Sequence, residues 1–482
     1  MEIKARRSIP VSVLSYAINQ TLRMGATVAL ARILVPSDFG LFALTSLAIS
    51  LLSILNDLGV GPALVVAREL DRRTRATALT LMIVCSLLLA GVLIALAPFV
   101  GDVLDEPRLD ELLYLISGSL FLSGPVWFHE TTLQRELEFM KRFRTKLVQT
   151  LTYIVVAVTL AALGAGVWSL VIGHVASYAT YLAALVAVSP DRVRPGWDWA
   201  AARRLAGSGR GFLAQDALDY AHGQSDGMVV VGYLGTTALG LWGIAFRFGE
   251  LTYLAIAQPI TQVTFPAFAR MRAAGHEWRG SFLAVLRLVA LLTFPIGAFF
   301  SAAAEPIVDT LFGPKWTASI APLAVFGVWA AIKPLETTLA WLLNSLEHQR
   351  RLALLRAIGL VPFIVGMMAA AAYSGLTAVA WVMVAQIAGL TIAISLSVRS
   401  KGNVPIRDQL KAVLPPAVGA VAAWAAARGV AVALDEAAPP VALVTAGAAG
   451  LAAYAAAASA VEPRLLPRAL EQMRNTLQRQ PA

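Results

Sequence analysis

The chain has 482 residues, of which 58% are hydrophobic and 14% charged, with a formal net charge of +10. Soluble domains carry about 25% charged residues, so this composition excludes an ordinary water-soluble fold. Long apolar runs without strand-type alternation predict an all-α polytopic membrane protein instead of an outer-membrane barrel. Because the basic residues cluster between the apolar runs, the positive charge indicates inner loops and no nucleic-acid partner.

The hydropathy pattern predicts about fourteen transmembrane helices. Asn19, Gln20 and Arg23 interrupt the N-terminal apolar stretch, so we interpret it as an uncleaved first helix and not as a signal peptide. The predicted spans are about 9–34, 39–66, 76–100, 111–130, 147–164, 166–188, 211–234, 238–268, 281–303, 318–345, 353–373, 376–397, 412–433 and 439–460.

The distribution of lysine and arginine sets the predicted orientation. The outer segments hold only Arg108, Lys315 and Arg428, whereas most of the 39 basic residues fall in the inner segments. One such inner segment, between spans four and five, contains Arg142 and Lys146. The positive-inside rule therefore places both termini in the cytoplasm.

An internal repeat divides the predicted spans into two lobes. The stretch "LARILVPSDFGLFALTSLAISLL" aligns without gaps on "VVGYLGTTALGLWGIAFRFGELT", about 200 residues later, with Gly40 on Gly240. Six spans separate the copies, so both enter the membrane in the same direction and the seam between them is the expected central cavity. The predicted parts are an N-terminal six-helix lobe (1–190), a basic cytoplasmic linker (191–210), a C-terminal six-helix lobe (211–400), two additional transmembrane helices (401–462) and a cytoplasmic amphipathic tail (463–482).

Span seven contains three aspartates within eleven residues, in the stretch "GFLAQDALDYAHGQSDGMVVVGYLG". An Asp at a helix centre costs roughly 2.5–3.5 kcal/mol, so Asp216, Asp219 and Asp226 together would outweigh the apolar residues if all faced lipid. At 100° per residue they fall within about 80° of one another. We therefore expect this helix face to line a hydrated cavity. By the repeat offset, Asn19 of span one corresponds to Asp219.

Ionisable residues inside membrane spans are candidate functional residues, and arginine offers planar, bidentate donors to phosphate. The predicted substrate-binding residues are Arg23, Arg247, Lys333, Asn19, Asp216 and Asp219. The predicted ion-coupling or charge-balancing residues are Asp57, Asp226, Glu250 and Glu336.

Several of these residues also have a structural interpretation. The i,i+3 spacing of Arg247 with Glu250, and of Lys333 with Glu336, allows an ion pair within one helix. Asp226 is compatible with a structural role in the outer half of its span, and the Asp-Leu-Gly sequence at Asp57 with a simple helix break.

The stretch "LARILVPSDFGLFALTSLAISLLSILNDLGVGPALV" resembles the first two helices of the bacterial polysaccharide-transporter family, as "TLQRELEFMKRFRTKLVQTL" and "GVWSLVIGHVASY" resemble later segments. This family belongs to the superfamily that also contains multidrug extruders and the peptidoglycan-precursor flippase. The resemblance implies two six-helix lobes with two appended helices. It also implies flipping of an undecaprenyl-pyrophosphate-linked oligosaccharide across the bacterial inner membrane.

We therefore expect a lipid-linked oligosaccharide flippase that works by alternating access, with no enzymatic activity, no metal and no cofactor except a coupling ion, H⁺ or Na⁺. Expected partners are the lipid-linked oligosaccharide, membrane lipids, a polysaccharide polymerase and glycosyltransferases. The main alternative is a cation-coupled antiporter of organic cations, which would suit the acidic face of span seven. A membrane glycosyltransferase would need a sizeable outer loop, and a structural scaffold would need no cavity.

No nucleotide or metal motif supports another activity. There is no P-loop, and His129-Glu130 lacks a second histidine at the spacing of a zinc protease. We expect His174, in span six, to be a packed helix–helix residue.

Overall fold

The computed structural model describes residues 2–57, 60–61, 64, 71–104, 106–136, 138–189, 193–275, 277–434 and 436–461. Within these ranges it contains helices and no strands, so the all-α prediction is confirmed. The helices are α1 (Glu2–Ile33), α2 (Pro36–Asp57), α3 (Arg72–Leu104), α4 (Leu109–Arg135), α5 (Phe139–Ala162), α6 (Val167–Val188), α7 (Trp199–Thr252), α8 (Gln258–Ala273), α9 (Arg279–Ala302), α10 (Ala304–Leu311), α11 (Ile320–Ser345), α12 (Gln349–Ser374), α13 (Leu376–Gly402), α14 (Ile406–Ala433) and α15 (Pro439–Val461). A π-helical segment, Tyr253–Ala257, joins α7 to α8, and a 3₁₀ turn, Pro314–Ser319, precedes α11.

Within the described ranges, 12 segments are long and apolar enough to cross a membrane, so the predicted number of fourteen is not confirmed. Two features account for the difference. The first helix, α1, is not among the 12, and the side chains of its first half lie outside the described residues. Residues 223–261 form one continuous segment where the sequence predicts two spans. Helix α7 continues through the predicted loop and departs from helical geometry only at Gly235, where φ is 83° and ψ is 177°.

The chain divides into two compact units, Met1–Gly240 and Leu241–Ala482. In the first unit, α3 packs on α4, α5 on α6, and α1 on α5. The boundary falls inside α7, and residues 199–210 of the predicted linker are the first turns of this helix. The two lobes and the linker stay predictions. Residues 190–192 of the predicted boundary and the predicted tail 463–482 lie outside the described residues.

In the second unit, the appended helices α14 and α15 pack on each other and on α9. The Tyr454 hydroxyl of α15 is buried and donates a hydrogen bond of 2.9 Å to the Leu291 carbonyl oxygen of α9. A buried hydroxyl without a partner costs free energy, so this bond favours one docking position of α15 on α9.

The first unit contains a reciprocal contact between equivalent positions of the internal repeat. A Cβ atom on Gly40 of α2 would overlap the carbonyl oxygen of Thr236, and a Cβ atom on Gly240 would overlap that of Pro36. Position 36 is repeat-equivalent to 236, and position 40 to 240, so each copy approaches the other in the same way. Glycine at both positions lets the two backbones come this close.

This contact predicts that Gly40→Ala destabilises the protein, because the new methyl group would collide with backbone that cannot rotate away. Overpacking of this kind costs about 1–3 kcal/mol. The melting temperature of the purified protein in detergent measures the effect.

Gly232→Ala is the matched control, since Gly232 lies on α7 with open space where the Cβ atom would be. Alanine has the higher helix propensity, so this control should melt at or above the wild-type temperature. If Gly40→Ala and Gly232→Ala melt alike, the close contact is wrong.

Candidate functional site

The first unit brings polar residues of four helices together. We call this group the N-terminal polar cluster. It consists of Asn19 and Arg23 of α1, Glu130 of α4, Arg142, Lys146 and Thr150 of α5, and His174, Tyr178 and Tyr181 of α6.

Hydrogen bonds and aromatic contacts hold the cluster together. Arg142 Nη2 donates to Glu130 Oε1 at 2.8 Å, and the Tyr181 hydroxyl also hydrogen-bonds to Glu130. Lys146 Nζ lies 4.9 Å from the centroid of the Tyr181 ring, a cation–π distance. These contacts let charged side chains sit within helices that are otherwise apolar.

Asn19 and Arg23 connect α1 to this cluster. The Thr150 hydroxyl donates to Asn19 Oδ1 at 3.0 Å, which joins α1 to α5. Arg23, one turn further along α1, is exposed and close enough to interact electrostatically with Lys146 and His174. The cluster therefore contains three basic side chains, on positions 23, 142 and 146, and one carboxylate.

His174 packs as the sequence predicts, and it also belongs to the cluster. Its ring lies 4.9 Å from that of Tyr178 and 6.1 Å from that of Phe42. Its Nε2 atom is buried and has no hydrogen-bond partner within the described part of the chain. The described residues contain no group of His, Cys, Asp and Glu that could hold a metal ion.

Sequence reasoning missed the contribution of α5. The prediction placed Arg142 and Lys146 in an inner loop before a span at 147, whereas α5 begins at Phe139 and carries both residues. The missed signal is periodicity, because Arg142, Lys146 and Thr150 recur every four residues and so share one helix face. For Glu130, the sequence offers only the local His129-Glu130 pattern, which carries no signal for these contacts.

In the second unit, Lys333, Glu336 and Arg356 form what we call the C-terminal triad. Glu336 is fully buried. One oxygen of its carboxylate accepts a hydrogen bond from Lys333 Nζ at 2.8 Å, and the other accepts one from Arg356 Nη2 at 3.3 Å. A buried carboxylate is tolerated only when cations and hydrogen bonds compensate its lost hydration. The i,i+3 pair allowed by the sequence is thus formed, with Arg356 of α12 as an additional partner.

The triad adjoins the π-helical segment. Lys333 Nζ lies 5.6 Å from the centroid of the Tyr253 ring, and Glu250 and Glu336 are both close enough to interact electrostatically with the Tyr253 hydroxyl. Single π-helical turns are frequent at functional sites. The structure therefore groups three predicted residues, Lys333, Glu336 and Glu250, around Tyr253.

The other predicted residues lie elsewhere or outside the description. Arg247 is exposed on the last turns of α7, and Asp226 is buried on the same helix within the first unit. The side chains of Asp57, Asp216 and Asp219 lie outside the described part of the chain. The acidic face of span seven stays a prediction.

The fold and the two clusters define an all-helical, multi-pass membrane protein that carries charges inside its spans, as transporters do. The family described as "Polysaccharide biosynthesis protein" matches residues 29–321, more than half of the chain. The chain belongs to this family, and the resemblance to polysaccharide transporters is confirmed.

Two relatives match most of the chain. The succinoglycan biosynthesis transport protein ExoT of Rhizobium meliloti (strain 1021) is 28% identical over 314 residues, which cover 64% of this chain and 63% of ExoT. The lipopolysaccharide biosynthesis protein WzxC of Escherichia coli (strain K12) is 23% identical over 322 residues, which cover 66% of this chain and 65% of WzxC. Each match thus extends over slightly less than two thirds of the relative.

Solved structures share the fold at low identity. The lipid II flippase MurJ in an inward closed conformation matches with a TM-score of 0.77 and 13% identity, covering 95% of this chain and 99% of MurJ. An inward-facing multidrug resistance MATE family transporter of the MOP superfamily matches with a TM-score of 0.65 and 16% identity, covering 83% and 99%. At identities this low, the similarity shows only that the fold is shared.

The C-terminal triad predicts that Glu336→Gln lowers the melting temperature of the purified protein. Removing the carboxylate leaves Lys333 and Arg356 close together without a counter-charge. A cost of about 2 kcal/mol is expected, below that of a fully buried pair because both cations are partly exposed.

Glu347→Gln is the control, because Glu347 is largely exposed and pairs with Arg272 at 3.5 Å on the surface. Such pairs contribute little. Adding Lys333→Met to Glu336→Gln should recover part of the loss. A Glu336→Gln protein as stable as the Glu347→Gln protein would contradict the proposed role of the triad.

Proposed function

We propose that this chain is a flippase that moves a polyprenyl-pyrophosphate-linked oligosaccharide across the bacterial inner membrane by alternating access, for surface polysaccharide synthesis. The observation that carries the proposal is the excess of basic side chains in the N-terminal polar cluster. The names of its relatives, a succinoglycan transport protein and a lipopolysaccharide biosynthesis protein, support the same substrate class.

The chemistry of the substrate explains why such a protein is needed. Sugar hydroxyls and a pyrophosphate cannot enter hydrocarbon without losing their hydrogen bonds to water, whereas a polyprenyl tail is apolar and dissolves in hydrocarbon. The head group therefore travels through a polar interior while the tail stays in lipid.

Arg23 is the residue best suited to bind the pyrophosphate. It is exposed, it lies inside a predicted span, and no carboxylate pairs with it at ion-pair distance among the described residues. Its guanidinium can donate two parallel hydrogen bonds to a phosphate group. Lys146 adds a second positive charge within electrostatic range, whereas Arg142 is already bonded to Glu130.

The same charges argue against an antiporter of organic cations. Among the described residues, the N-terminal polar cluster has three basic side chains to one acid, and the C-terminal triad has two to one. A cationic substrate would meet repulsion at both, and a pyrophosphate would meet attraction.

The membrane potential supplies a driving force in the direction of export. Each elementary charge that crosses the membrane changes the free energy by about 2.3 kcal/mol per 100 mV. Moving a pyrophosphate out of a negatively charged cytoplasm is therefore favourable, with exchange for H⁺ or Na⁺ as a further energy source. Glycosyltransferases would supply the substrate on the cytoplasmic side, where both termini are expected, and a polymerase would consume it on the other side.

Arg23→Ala should reduce export of polymer by about tenfold or more, because the pyrophosphate loses its bidentate partner, a contact worth at least about 1.4 kcal/mol. Surface polysaccharide of cells that carry the variant as their single copy measures the effect, with the amount of protein in the membrane as the reference. Arg23→Lys should recover only part of the activity.

Arg32→Ala is the matched control, since Arg32 is an exposed arginine in the last turn of the same helix. It should export at the wild-type level. Normal export by Arg23→Ala would remove Arg23 from the substrate path.

A second test separates the flippase from the antiporter. Cells that overproduce the protein should show no greater resistance to cationic dyes than cells with the empty vector, because the basic clusters repel a cation. Dye efflux that depends on the protein would favour the antiporter over the flippase.

A further inference from the structure

The segment before α7 is fixed on the first turns of α3. The Thr80 hydroxyl donates to the Gly196 carbonyl oxygen and accepts from the Gly196 N–H, both at 2.9 Å. The Asp198 N–H donates to the Thr77 hydroxyl at 3.0 Å. These bonds satisfy backbone groups of a non-helical segment and give it a defined position on α3.

Two tryptophans project from this fixed segment. Trp197 is 46% exposed and Trp199 is 71% exposed, and their rings meet edge to face at 5.1 Å. The first two turns of α7 have inward-facing residues for packing, since Ala201 and Leu205 are buried in the first unit. The two indoles therefore point outward, and packing of this segment does not require tryptophan at either position.

Exposed arginines flank the indoles along the chain and begin the helix on which the segment is fixed. We call the combined surface the interfacial patch. It consists of Arg72 and Arg73 at the start of α3, and of Arg194, Trp197, Trp199 and Arg203.

The nearby acidic side chains accept hydrogen bonds from backbone N–H groups. Asp71 Oδ1 accepts the Thr74 N–H at 3.0 Å, and Asp198 Oδ1 accepts the Ala201 N–H at 2.8 Å, so each caps the start of a helix. Hydrogen bonds from the Thr74 side chain and backbone, with nearby Arg204, hold the pKa of the Asp71 carboxyl below its usual range. The described residues of this surface therefore keep an excess of positive charge.

The position of the patch indicates which partner it meets. Arg72 and Arg73 begin the apolar helix α3, Arg72–Leu104, so they lie at the end of a candidate membrane span, where lipid headgroups are expected. Tryptophan is enriched at this depth, where its ring is apolar and its N–H is polar, and arginine there faces lipid phosphates. An acidic protein partner would not require the patch to lie at the edge of an apolar span.

We propose that the interfacial patch binds the headgroups of anionic phospholipids, with Trp197 and Trp199 at the level of the headgroups and the arginines on the phosphates. This site is independent of the transported substrate and would hold residues 193–198 against the membrane surface.

Fluorescence quenching by labelled lipid tests the proposal on the full-length protein. The protein is placed in phosphatidylcholine nanodiscs that contain a small fraction of either phosphatidylglycerol or phosphatidylcholine with a spin label near the headgroup. The signal of the patch is the difference between wild type and Trp197→Phe/Trp199→Phe. If the double variant does not fold, Trp199→Phe alone replaces it, since Trp199 is largely exposed.

We expect labelled phosphatidylglycerol to quench this signal about fivefold more effectively than labelled phosphatidylcholine, as the local concentration of an anionic lipid beside basic residues predicts. Arg72→Gln/Arg73→Gln/Arg194→Gln/Arg203→Gln should abolish the preference while both lipids still quench. The control replaces four exposed basic residues near helix ends of the second unit, Arg350, Arg399, Lys401 and Lys411, with glutamine and should keep the preference.

Three results would overturn the proposal. Equal quenching by the two lipids would show that the patch does not select anionic headgroups. A loss of preference in the control variant would show a general effect of protein charge. An absence of quenching by either lipid would show that the indoles face water or a protein partner.

Discussion

The free-energy cost of a charge in hydrocarbon is the constraint on which this structure depends. Each charged group inside a span must face water, pair with an opposite charge or contact an aromatic ring. The two clusters use all three solutions. Glu336 is compensated by two cations, Lys146 lies against the ring of Tyr181, and Arg23 is exposed. Of these charges, Arg23 is the one least explained by a structural ion pair. It is therefore the best candidate for a substrate contact.

The reciprocal glycine contact gives physical meaning to the internal repeat. A duplicated segment that meets its own copy produces the same contact twice, so a residue small enough for one approach is required at both positions. Gly40 and Gly240 meet this requirement, and the backbone break at Gly235 lies beside it. The sequence match pairs the same two positions at which the backbones approach each other closely.

The sequence predicted the all-helical class and the family because hydropathy and local motifs carry that information in consecutive residues. It allowed the Lys333–Glu336 pair as a structural alternative for the same reason, since an i,i+3 spacing is local. It could not predict Arg356 as the second partner of Glu336, because that contact joins two helices. Lys146 was missed because a basic residue at the end of an apolar run satisfies the positive-inside rule equally well inside or outside the helix. The break at Gly235 was anticipated only as a loop between two separate spans.

The central claim is that the chain moves an anionic, lipid-linked glycan across a bilayer. Its most direct test uses purified protein in liposomes that contain a polyprenyl-pyrophosphate-linked oligosaccharide, with a membrane potential imposed across the vesicle wall. A glycosidase outside the vesicles reports how much glycan reaches the outer leaflet. The account predicts that glycan appears outside faster than in protein-free vesicles, and faster still when the side from which it departs is negative. Movement no faster than in protein-free vesicles, by a protein shown to be folded, would contradict it.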